Sequence, residues 1–395
     1  MFNENMYKLG AKGSDIRELF EYGKKRKQVI GDDKVFDFSI GNPSVPSPSI
    51  VNDTLVDLIQ TVEPTKLHGY TSASGDNFVK ESIAKYINNK YNTNVNSNLI
   101  YMTCGAAASL SITFRAILNP GDEVIVFTPY FPEYKVFVEN ASGKIVPVES
   151  IIPSFIPDFD ALEKSINKNT KAVIINSPNN PTGVVYSEEI IKKLSDILRF
   201  KEKEFNQNIY LVSDEPYREL VYGDVNVPYI TNYYDNAIVC YSFSKSLSLP
   251  GERIGYILVN PKCNDAVSVY KAICGAGRSM GFVCAPALFQ YMVPKCLGYT
   301  SNIKVYEENR ELLYNELTKY GYEVVKPEGA FYIFMKSLDK DAYAFSELAK
   351  KYELLLVPSD SFGVKGYIRI SYCVSKEQII NSLPAFKKLI EEYKK

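Results

Sequence analysis

The sequence contains a single histidine, His68, no tryptophan, and no apolar run that approaches the roughly 20 residues needed to span a bilayer. One histidine excludes a histidine-rich metal centre and argues against a Ser–His–Asp triad, so acid–base chemistry must depend on Lys, Asp, Tyr or a cofactor. The seven cysteines form no C-x-x-C pair, which argues against a disulfide framework or a zinc site. A formal net charge of −1 offers no basic surface for nucleic acid or an anionic membrane. Because the first residues lack the apolar stretch of a secretory signal, we expect a cytoplasmic protein.

The central part of the sequence has the pattern of an α/β protein. The 395 residues are 46% hydrophobic, which is enough for a sizeable core. From about residue 99, short runs rich in Val, Ile and Tyr alternate with helical stretches, and continuous apolar runs are typical of strands buried on both faces of a parallel or mixed sheet. The predicted strands are Leu99–Thr103, Glu123–Phe127, Ala172–Ile175, Ile209–Val212, Ile238–Tyr241 and Ile254–Val259. The predicted helices between them include Ala106–Leu118 and Ser187–Arg199.

The two ends of the chain have a different pattern of predicted helices and strands. A Pro-rich loop leads into a predicted helix with Ser47 as its cap and Pro48 in its first turn. Apolar residues at four-residue spacing predict a second helix after Gly75, namely Val79, Ile83 and Ile87. Beyond about residue 290 we predict helices near Ser301–Tyr320 and Phe345–Tyr352 and from Lys376, with strands at Tyr322–Val325, Phe331–Met335 and Tyr367–Ser371. We therefore expect a large domain over 51–290 and a smaller α/β domain built from 1–50 and 291–395.

Polar or conformationally special residues follow the carboxyl ends of five successive predicted strands. In chain order these segments are Cys104-Gly105-Ala106-Ala107, Pro129-Tyr130-Phe131-Pro132, Asn179-Asn180-Pro181-Thr182-Gly183, Asp214-Glu215-Pro216-Tyr217 and Ser242-Phe243-Ser244-Lys245. In an open α/β sheet the ligand crevice lies at this edge. The sequence therefore predicts that the five segments assemble one site.

Part of this set suits a phosphate next to a reactive amine. The free N–H groups of a helix that starts at Gly105, the hydroxyls of Ser242 and Ser244, and the guanidinium of Arg253 can all bind an anion. Lys245 lies among these groups, and neighbouring cations lower the pKa of an amine, which favours the nucleophilic free form.

The remaining residues suit an aromatic nitrogen heterocycle. Asp214 can pair with a protonated ring nitrogen, Tyr217 can reach a ring hydroxyl, and Phe131 offers a flat face for stacking. Taken together, the strand-end groups describe a phosphorylated, protonated pyridine bound as an imine.

The segment SFSKSLSLPGERIG, from Ser242 to Gly255, resembles the pyridoxal-phosphate attachment signature of class I and II aminotransferases. Asn179–Gly183 and Asp214–Tyr217 match two further signatures of that family in the expected order. The resemblance runs from about Gly41 to the C-terminus and is completed by Tyr70 with Gly75, Gly105–Ala107, Phe131, and Arg369 within Tyr367–Ser371. It implies fold type I, in which a large domain has a mostly parallel central sheet covered by helices and a smaller α/β domain accompanies it.

The resemblance also implies roles for single residues. Lys245 would carry pyridoxal 5′-phosphate as a Schiff base and move the proton during catalysis, while Asp214 would keep the ring nitrogen protonated. Asn180 and Tyr217 would bond the ring oxygen, and Phe131 would stack on the ring. The phosphate would be held by Ser242, Ser244, Arg253 and the turn of Gly105, Ala106 and Ala107. The substrate α-carboxylate would be bound by Arg369, Asn180 and the backbone at Gly41.

Two further positions imply a homodimer with shared active sites. Tyr70 is expected to reach the phosphate in the neighbouring subunit. Arg278 is the candidate for binding a distal carboxylate across the interface, although no motif aligns this stretch. Aspartate or glutamate as substrate is therefore suggested.

The expected function is an aminotransferase of amino-acid metabolism and biosynthesis that moves an amino group between an L-amino acid and a 2-oxo acid by a ping-pong mechanism. The alternative is a carbon–sulfur β-lyase, since the same fold and cofactor serve both reactions. A transcriptional regulator with a transaminase-like sensor domain would need an added DNA-binding domain, and the segment before Gly41 is too short for one.

Overall fold

In a computed structural model of the protein, which describes residues 2–11 and 13–394, the N-terminal segment packs against the C-terminal part of the chain. It contains helices α1 (Glu4–Ala11) and α2 (Asp15–Ile30) and the short strand β1 (Phe36–Asp37). β1 pairs in parallel with Leu354–Leu355. The segment is thereby fixed next to residues that follow it by more than three hundred positions.

The middle of the chain alternates strands and helices. Its helices are α3 (Ser49–Thr61), α4 (Pro64–Leu67), α5 (Asn77–Tyr91), α6 (Ala106–Ile117), α7 (Glu133–Asn140), α8 (Phe159–Ser165), α9 (Glu188–Phe205), α10 (Phe243–Ser246), α11 (Ala266–Ser279) and α12 (Ala287–Cys296). Its strands are β2 (Ile100–Thr103), β3 (Glu123–Phe127), β4 (Lys144–Val148), β5 (Ser150–Ile151), β6 (Ile156–Pro157), β7 (Thr170–Asn176), β8 (Tyr210–Glu215), β9 (Ala237–Ser242) and β10 (Gly255–Val259).

A seven-stranded sheet forms the centre, in the order β2-β10-β9-β8-β7-β3-β4. All neighbouring strands are parallel except β10, which is antiparallel to both β2 and β9. All six strands predicted for the central part of the sequence belong to this sheet. The edge strand β4 was not predicted, because it is partly exposed and contains Pro147, which an edge strand tolerates.

Alternate residues of each strand supply two separate cores, one on each face of the sheet. On β3, Ile125 and Phe127 join the core that contains α5, α9 and α12, whereas Val124 and Val126 join the core that contains α6, α7 and α11. Burial on both faces is the reason why these strands read as continuous apolar runs. The mostly parallel α/β architecture expected from the sequence is confirmed.

The two predicted helices before the sheet turn out differently. α5 begins at Asn77 with Asp76 as its cap, and its stripe of Val79, Ile83 and Ile87 is buried as predicted. The preceding prediction was wrong in detail: α3 begins at Ser49, Pro48 occupies the cap position, and no side chain caps the helix. Proline fixes φ near the value that a helix entry requires, so the entry does not depend on a capping serine.

The C-terminal part builds a second layer. It contains α13 (Ile303–Tyr320), β11 (Val324–Val325), β12 (Tyr332–Lys336), α14 (Ala342–Lys350), β13 (Leu354–Leu355), β14 (Val357–Pro358), β15 (Tyr367–Ser371) and α15 (Lys376–Glu392). Four of these strands form an antiparallel sheet in the order β11-β12-β15-β14. Its core also includes Phe38 and Val45 from the N-terminal segment. The division into domains at residues 51 and 290 stays a prediction.

Over residues 2–11 and 13–394, no helix is both long and apolar enough to cross a membrane. The cytoplasmic location stays a prediction.

Candidate active site

A cleft of about 310 Å³ opens at the carboxyl ends of the parallel strands, where the second layer meets the large sheet. Most of the residues predicted from the sequence line it, and they come from segments far apart in the chain. They are Gly41, Ala106, Ala107, Phe131, Asn180, Asp214, Tyr217, Ser242, Ser244, Lys245, Arg253 and Arg369. The strand-end edge therefore gathers these groups into one site.

One end of the cleft is built to hold an anion. α6 begins directly after Gly105, which has φ +86°, a conformation that glycine adopts without strain. A Cβ at Gly105 would lie 2.9 Å from the Arg253 guanidinium, so glycine lets this cation pack against the helix start. The hydroxyls of Ser242 and Ser244 lie 2.8 Å apart, and Arg253 donates to Ser244 at 3.3 Å. A helix N-terminus, two hydroxyls and a guanidinium thus face the same space.

Lys245 lies on the one-turn helix α10, which continues β9. Its Nζ donates a hydrogen bond to the carbonyl of Gly41 at 2.5 Å and lies 5.4 Å from the Phe331 ring centroid. Burial lowers the pKa of Lys245 to about 8; Cys373 opposes this shift, and the charges of Arg253 and Arg369 add to it. A substantial fraction of the amine is therefore neutral, and nucleophilic, near physiological pH.

Asp214, near the end of β8, is a buried carboxylate with one hydrogen-bonded oxygen. Its Oδ2 accepts a hydrogen bond from Tyr134 at 2.6 Å, whereas its Oδ1 has no partner among the described residues. Burial raises the pKa of Asp214 to about 7, although the bond from Tyr134 lowers it. An acceptor oxygen with this pKa is suited to a protonated ring nitrogen at the cleft.

Two tyrosines and a phenylalanine line the remaining aromatic wall. The hydroxyls of Tyr217 and Tyr332 lie 2.9 Å apart, and burial raises the pKa of Tyr217 well above 10. Both phenols are therefore neutral hydrogen-bond donors at physiological pH. Phe131 packs edge-on against Tyr134, with ring centroids 5.7 Å apart, and this contact supports the position of its ring.

Arg369, on β15, is a buried cation with only 2% of its surface exposed. It donates to Asn180 Oδ1 at 3.2 Å and to the carbonyl of Ser39, while its Nε has no partner within the described ranges. No carboxylate of residues 2–11 or 13–394 forms an ion pair with it. A buried guanidinium without a counter-charge is suited to a carboxylate ligand.

Two predicted side chains, those of Tyr70 and Arg278, do not reach this cleft. Tyr70 is 98% exposed, and Arg278 is exposed near the end of α11. The segments that follow them in the chain touch, since Cys284 N donates to the carbonyl of Ala73 at 3.2 Å. Both side chains are therefore exposed beside segments that contact each other.

Sequence reasoning missed several residues of the site. Tyr134, which holds Asp214, lies three positions after Phe131 and faces inward from α7; that spacing was available as a signal. Tyr332 has no such signal, because it is one of 30 tyrosines and its partners come from other segments. Ile16 and Ile40 also line the cleft, and both come from the N-terminal segment.

Comparison with known proteins identifies the family. The family model "Aminotransferase class I and II" matches residues 33–385. The aspartate aminotransferase of Thermotoga maritima is 33% identical over 375 residues, which cover 93% of this chain and 95% of that protein. A probable aspartate/prephenate aminotransferase of Aquifex aeolicus is 30% identical and covers 91% of both chains. The crystal structure of an aminotransferase from Eubacterium rectale superposes with a TM-score of 0.98, at 56% identity over 100% of both chains.

The chain belongs to the class I and II aminotransferases, a family that uses pyridoxal phosphate. It has the fold type I architecture, and it is a transaminase that acts on an amino acid and a 2-oxo acid.

Proposed function

We propose that the cleft binds pyridoxal 5′-phosphate through the strand-end residues and that Lys245 is the residue that condenses with it. The observation that carries this proposal is a single half-buried amine of lowered pKa that lies between an anion-binding end and the Asp214 carboxylate. The proposed phosphate ligands are Ser242, Ser244, Arg253 and the turn of Gly105, Ala106 and Ala107.

The partnerless polar atoms support the fit. Asp214 Oδ1 and Arg369 Nε are the two such atoms, among the described residues, that belong to side chains lining the cleft. Asp214 can hold a protonated pyridine nitrogen, and Arg369 can hold a carboxylate. Buried polar groups are normally bonded, so these two atoms support binding of a ligand with a cationic ring and an acid group.

The bound cofactor supplies an electron sink for the substrate Cα–H bond. Asp214 holds the proton on the ring nitrogen, and Tyr217 and Asn180 donate to the ring oxygen. Arg369 fixes the substrate carboxylate, so that the Cα–H bond is presented to Lys245. Lys245 would then remove that proton and deliver it to the carbon two bonds away, and hydrolysis with one water would release the 2-oxo acid, which completes half of a ping-pong reaction.

Aspartate is the amino donor that we propose, with a 2-oxo acid as acceptor. The names of relatives support this choice. The cationic side chains lining the cleft in the described chain are Lys245, Arg253 and Arg369, all of which already have a role. A second carboxylate therefore needs a cation from outside this chain, and Arg278 of a partner subunit is the candidate.

The proposed assembly is a homodimer that shares its active sites. Tyr70 is almost fully exposed, although it matches a residue expected to bind phosphate, and Arg278 is exposed as well. We propose that the two share one outer surface, because the segments that follow them are joined by the bond from Cys284 N to the Ala73 carbonyl. A second subunit that covers this surface would carry both side chains into the partner's cleft.

The test is a half-reaction titration of the holoenzyme with single amino acids, followed by the absorbance of the bound cofactor. Aspartate is expected to convert the cofactor to its amine form. Arg278→Ala should raise the KM for aspartate at least ~10-fold and leave that for alanine unchanged, since only the distal carboxylate loses its partner. Lys271→Ala, an exposed cation on the same helix, is the control.

Two results would contradict these proposals. Inert aspartate, together with an Arg278→Ala variant that behaves like Lys271→Ala, would remove the dicarboxylate assignment. Release of pyruvate and ammonia from a cysteine-type substrate, with the cofactor returned to its starting form, would favour the carbon–sulfur β-lyase.

A further inference from the structure

Tyr332 connects two parts of the cleft that the proposed function uses separately. It lies at the start of β12, is 2% exposed, and its hydroxyl is 2.9 Å from that of Tyr217. The ring of Tyr332 packs against Arg369, whose guanidinium carbon lies 4.7 Å from the ring centroid. One side chain therefore touches the phenol proposed for the ring oxygen and the guanidinium proposed for the substrate carboxylate.

The position of the Tyr332 hydroxyl is fixed by close packing. A Cβ on Gly41 would lie 2.0 Å from that hydroxyl and 2.8 Å from the carbon that bears it, so only a residue without a side chain fits there. The Tyr217 and Tyr332 rings pack edge-to-face at 5.8 Å. The hydroxyl thus occupies the space that a side chain at position 41 would need, and Tyr217 is the side chain to which it bonds in the described structure.

We propose that Tyr332 is a positioning residue of the transaminase, whose hydroxyl orients and polarises the Tyr217 hydroxyl while its ring supports Arg369. This inference rests on the proposed function. Tyr217 has a single O–H proton, so when it donates to the ring oxygen, the proton between the two phenols must come from Tyr332. Hydrogen bonds in such a chain strengthen one another in a site of low dielectric constant.

The hydroxyl and the ring make separable contributions. Tyr332→Phe removes the bond to Tyr217 and keeps the aromatic face under Arg369, whereas Tyr332→Leu removes both. The first variant should therefore affect kcat, and the second should also raise the KM for the amino acid. A residue that only fills space would not divide its effects in this way.

The experiment uses the holoenzyme and measures the pH dependence of the absorbance of the lysine-bound cofactor, together with kcat and KM. Weaker donation to the ring oxygen destabilises the deprotonated chromophore. Tyr332→Phe should therefore raise the pKa of the absorbance change in the same direction as Tyr217→Phe, but by less, and should lower kcat about 3- to 10-fold at unchanged KM, the size expected for loss of one hydrogen bond. Tyr332→Leu should raise KM a further ~3-fold or more.

Tyr372→Phe is the matched control. Tyr372 is also a buried tyrosine, and its hydroxyl lies 3.1 Å from that of Tyr222, but this second pair does not line the cleft. It should leave the absorbance titration unchanged.

The inference is overturned if Tyr217→Phe shifts the titration while Tyr332→Phe moves it no more than Tyr372→Phe does. Failure of the proposed function looks different, since wild-type protein mixed with pyridoxal phosphate would then show no Lys245-dependent absorbance at any pH.

Discussion

At the end of β8, the buried carboxylate on one side is fully paired, whereas the buried carboxylate on the cleft side is not. On the side away from the cleft, Arg218 donates to Glu215 through two hydrogen bonds of 2.5 and 2.7 Å and to the carbonyls of Val227 and Pro228 at 3.0 and 3.1 Å. On the cleft side, Asp214 has one oxygen without a partner in the described chain. The neighbouring residues Asp214 and Glu215 are almost equally buried, so their difference lies in partners and not in depth.

Two adjacent residues therefore have different roles: Glu215 stabilises the fold, and Asp214 keeps an oxygen for a ligand. A buried charge is stable only when it is paired, and Glu215–Arg218 meets that condition with groups of the protein itself. Asp214 and Arg369 meet it only in part, so ligand binding completes the pairing of charges that folding has already buried. Each variant below changes a residue on one side of the end of β8 and leaves the residues on the other side unchanged.

The largest expected effect follows from Lys245→Ala. Without the amine, no group in the cleft can condense with the cofactor or move the substrate proton, so kcat should fall by ~10³-fold or more. In cofactor-free form the variant should fold as well as the wild type, because it loses a half-buried cation that has no carboxylate partner. Steady-state kinetics and thermal unfolding test both statements. Lys201→Ala, a partly buried lysine of α9 remote from the cleft, is the control, and comparable activity in the two variants would refute the role of Lys245.

The second effect concerns stability. Arg218→Ala leaves the Glu215 carboxylate buried and unpaired, which should lower the free energy of unfolding by about 3–5 kcal/mol. Asp214→Asn should not lower it at pH 7, because it removes a desolvated charge that has only Tyr134 as partner. Denaturant unfolding of both variants in cofactor-free form is the measurement, and equal losses would show that the two sides of the strand do not differ.

The smallest effect is a pH dependence. The pKa of Asp214 is raised from 3.8 to about 7 in the folded chain, mainly by burial, so the folded state holds a proton that the unfolded state releases between these values. Stability of the cofactor-free protein should therefore fall as pH rises from about 4 to 7, with a slope from this group of about 1.4 kcal/mol per pH unit. Asp214→Asn should remove that part of the slope, as measured by denaturant unfolding at several pH values. An unchanged slope would contradict the shifted pKa.

Sequence patterns recovered most of the fold because the strands are buried on both faces. β3 and β15 were predicted end to end, and the helix stripe of α5 was correct. Predicted strands ended too early where the last residues are polar: β7 runs on to Asn176, whose side chain donates to the Asp214 carbonyl. Periodicity cannot detect a polar residue that is buried for its hydrogen bonds.

The candidate site was predictable where its residues follow strands, and less so elsewhere. Lys245, Asp214 and Arg253 follow from strand-end positions and residue chemistry. Arg369 and Gly41 came from the family resemblance, because nothing local in their segments points to a cleft. Tyr134 and Tyr332 act through contacts between distant segments, which spacing along one segment does not encode.

The bond from Arg369 to the Ser39 carbonyl joins residues 330 positions apart. At synthesis rates of roughly 5–20 residues per second, Ser39 is added to the chain about 17 to 66 seconds before Arg369. The site is therefore among the last features to form in a newborn chain, and the charged strand ends of the central sheet stay uncovered until the final strands arrive. Chaperones that shield such edges would have their longest opportunity during this interval.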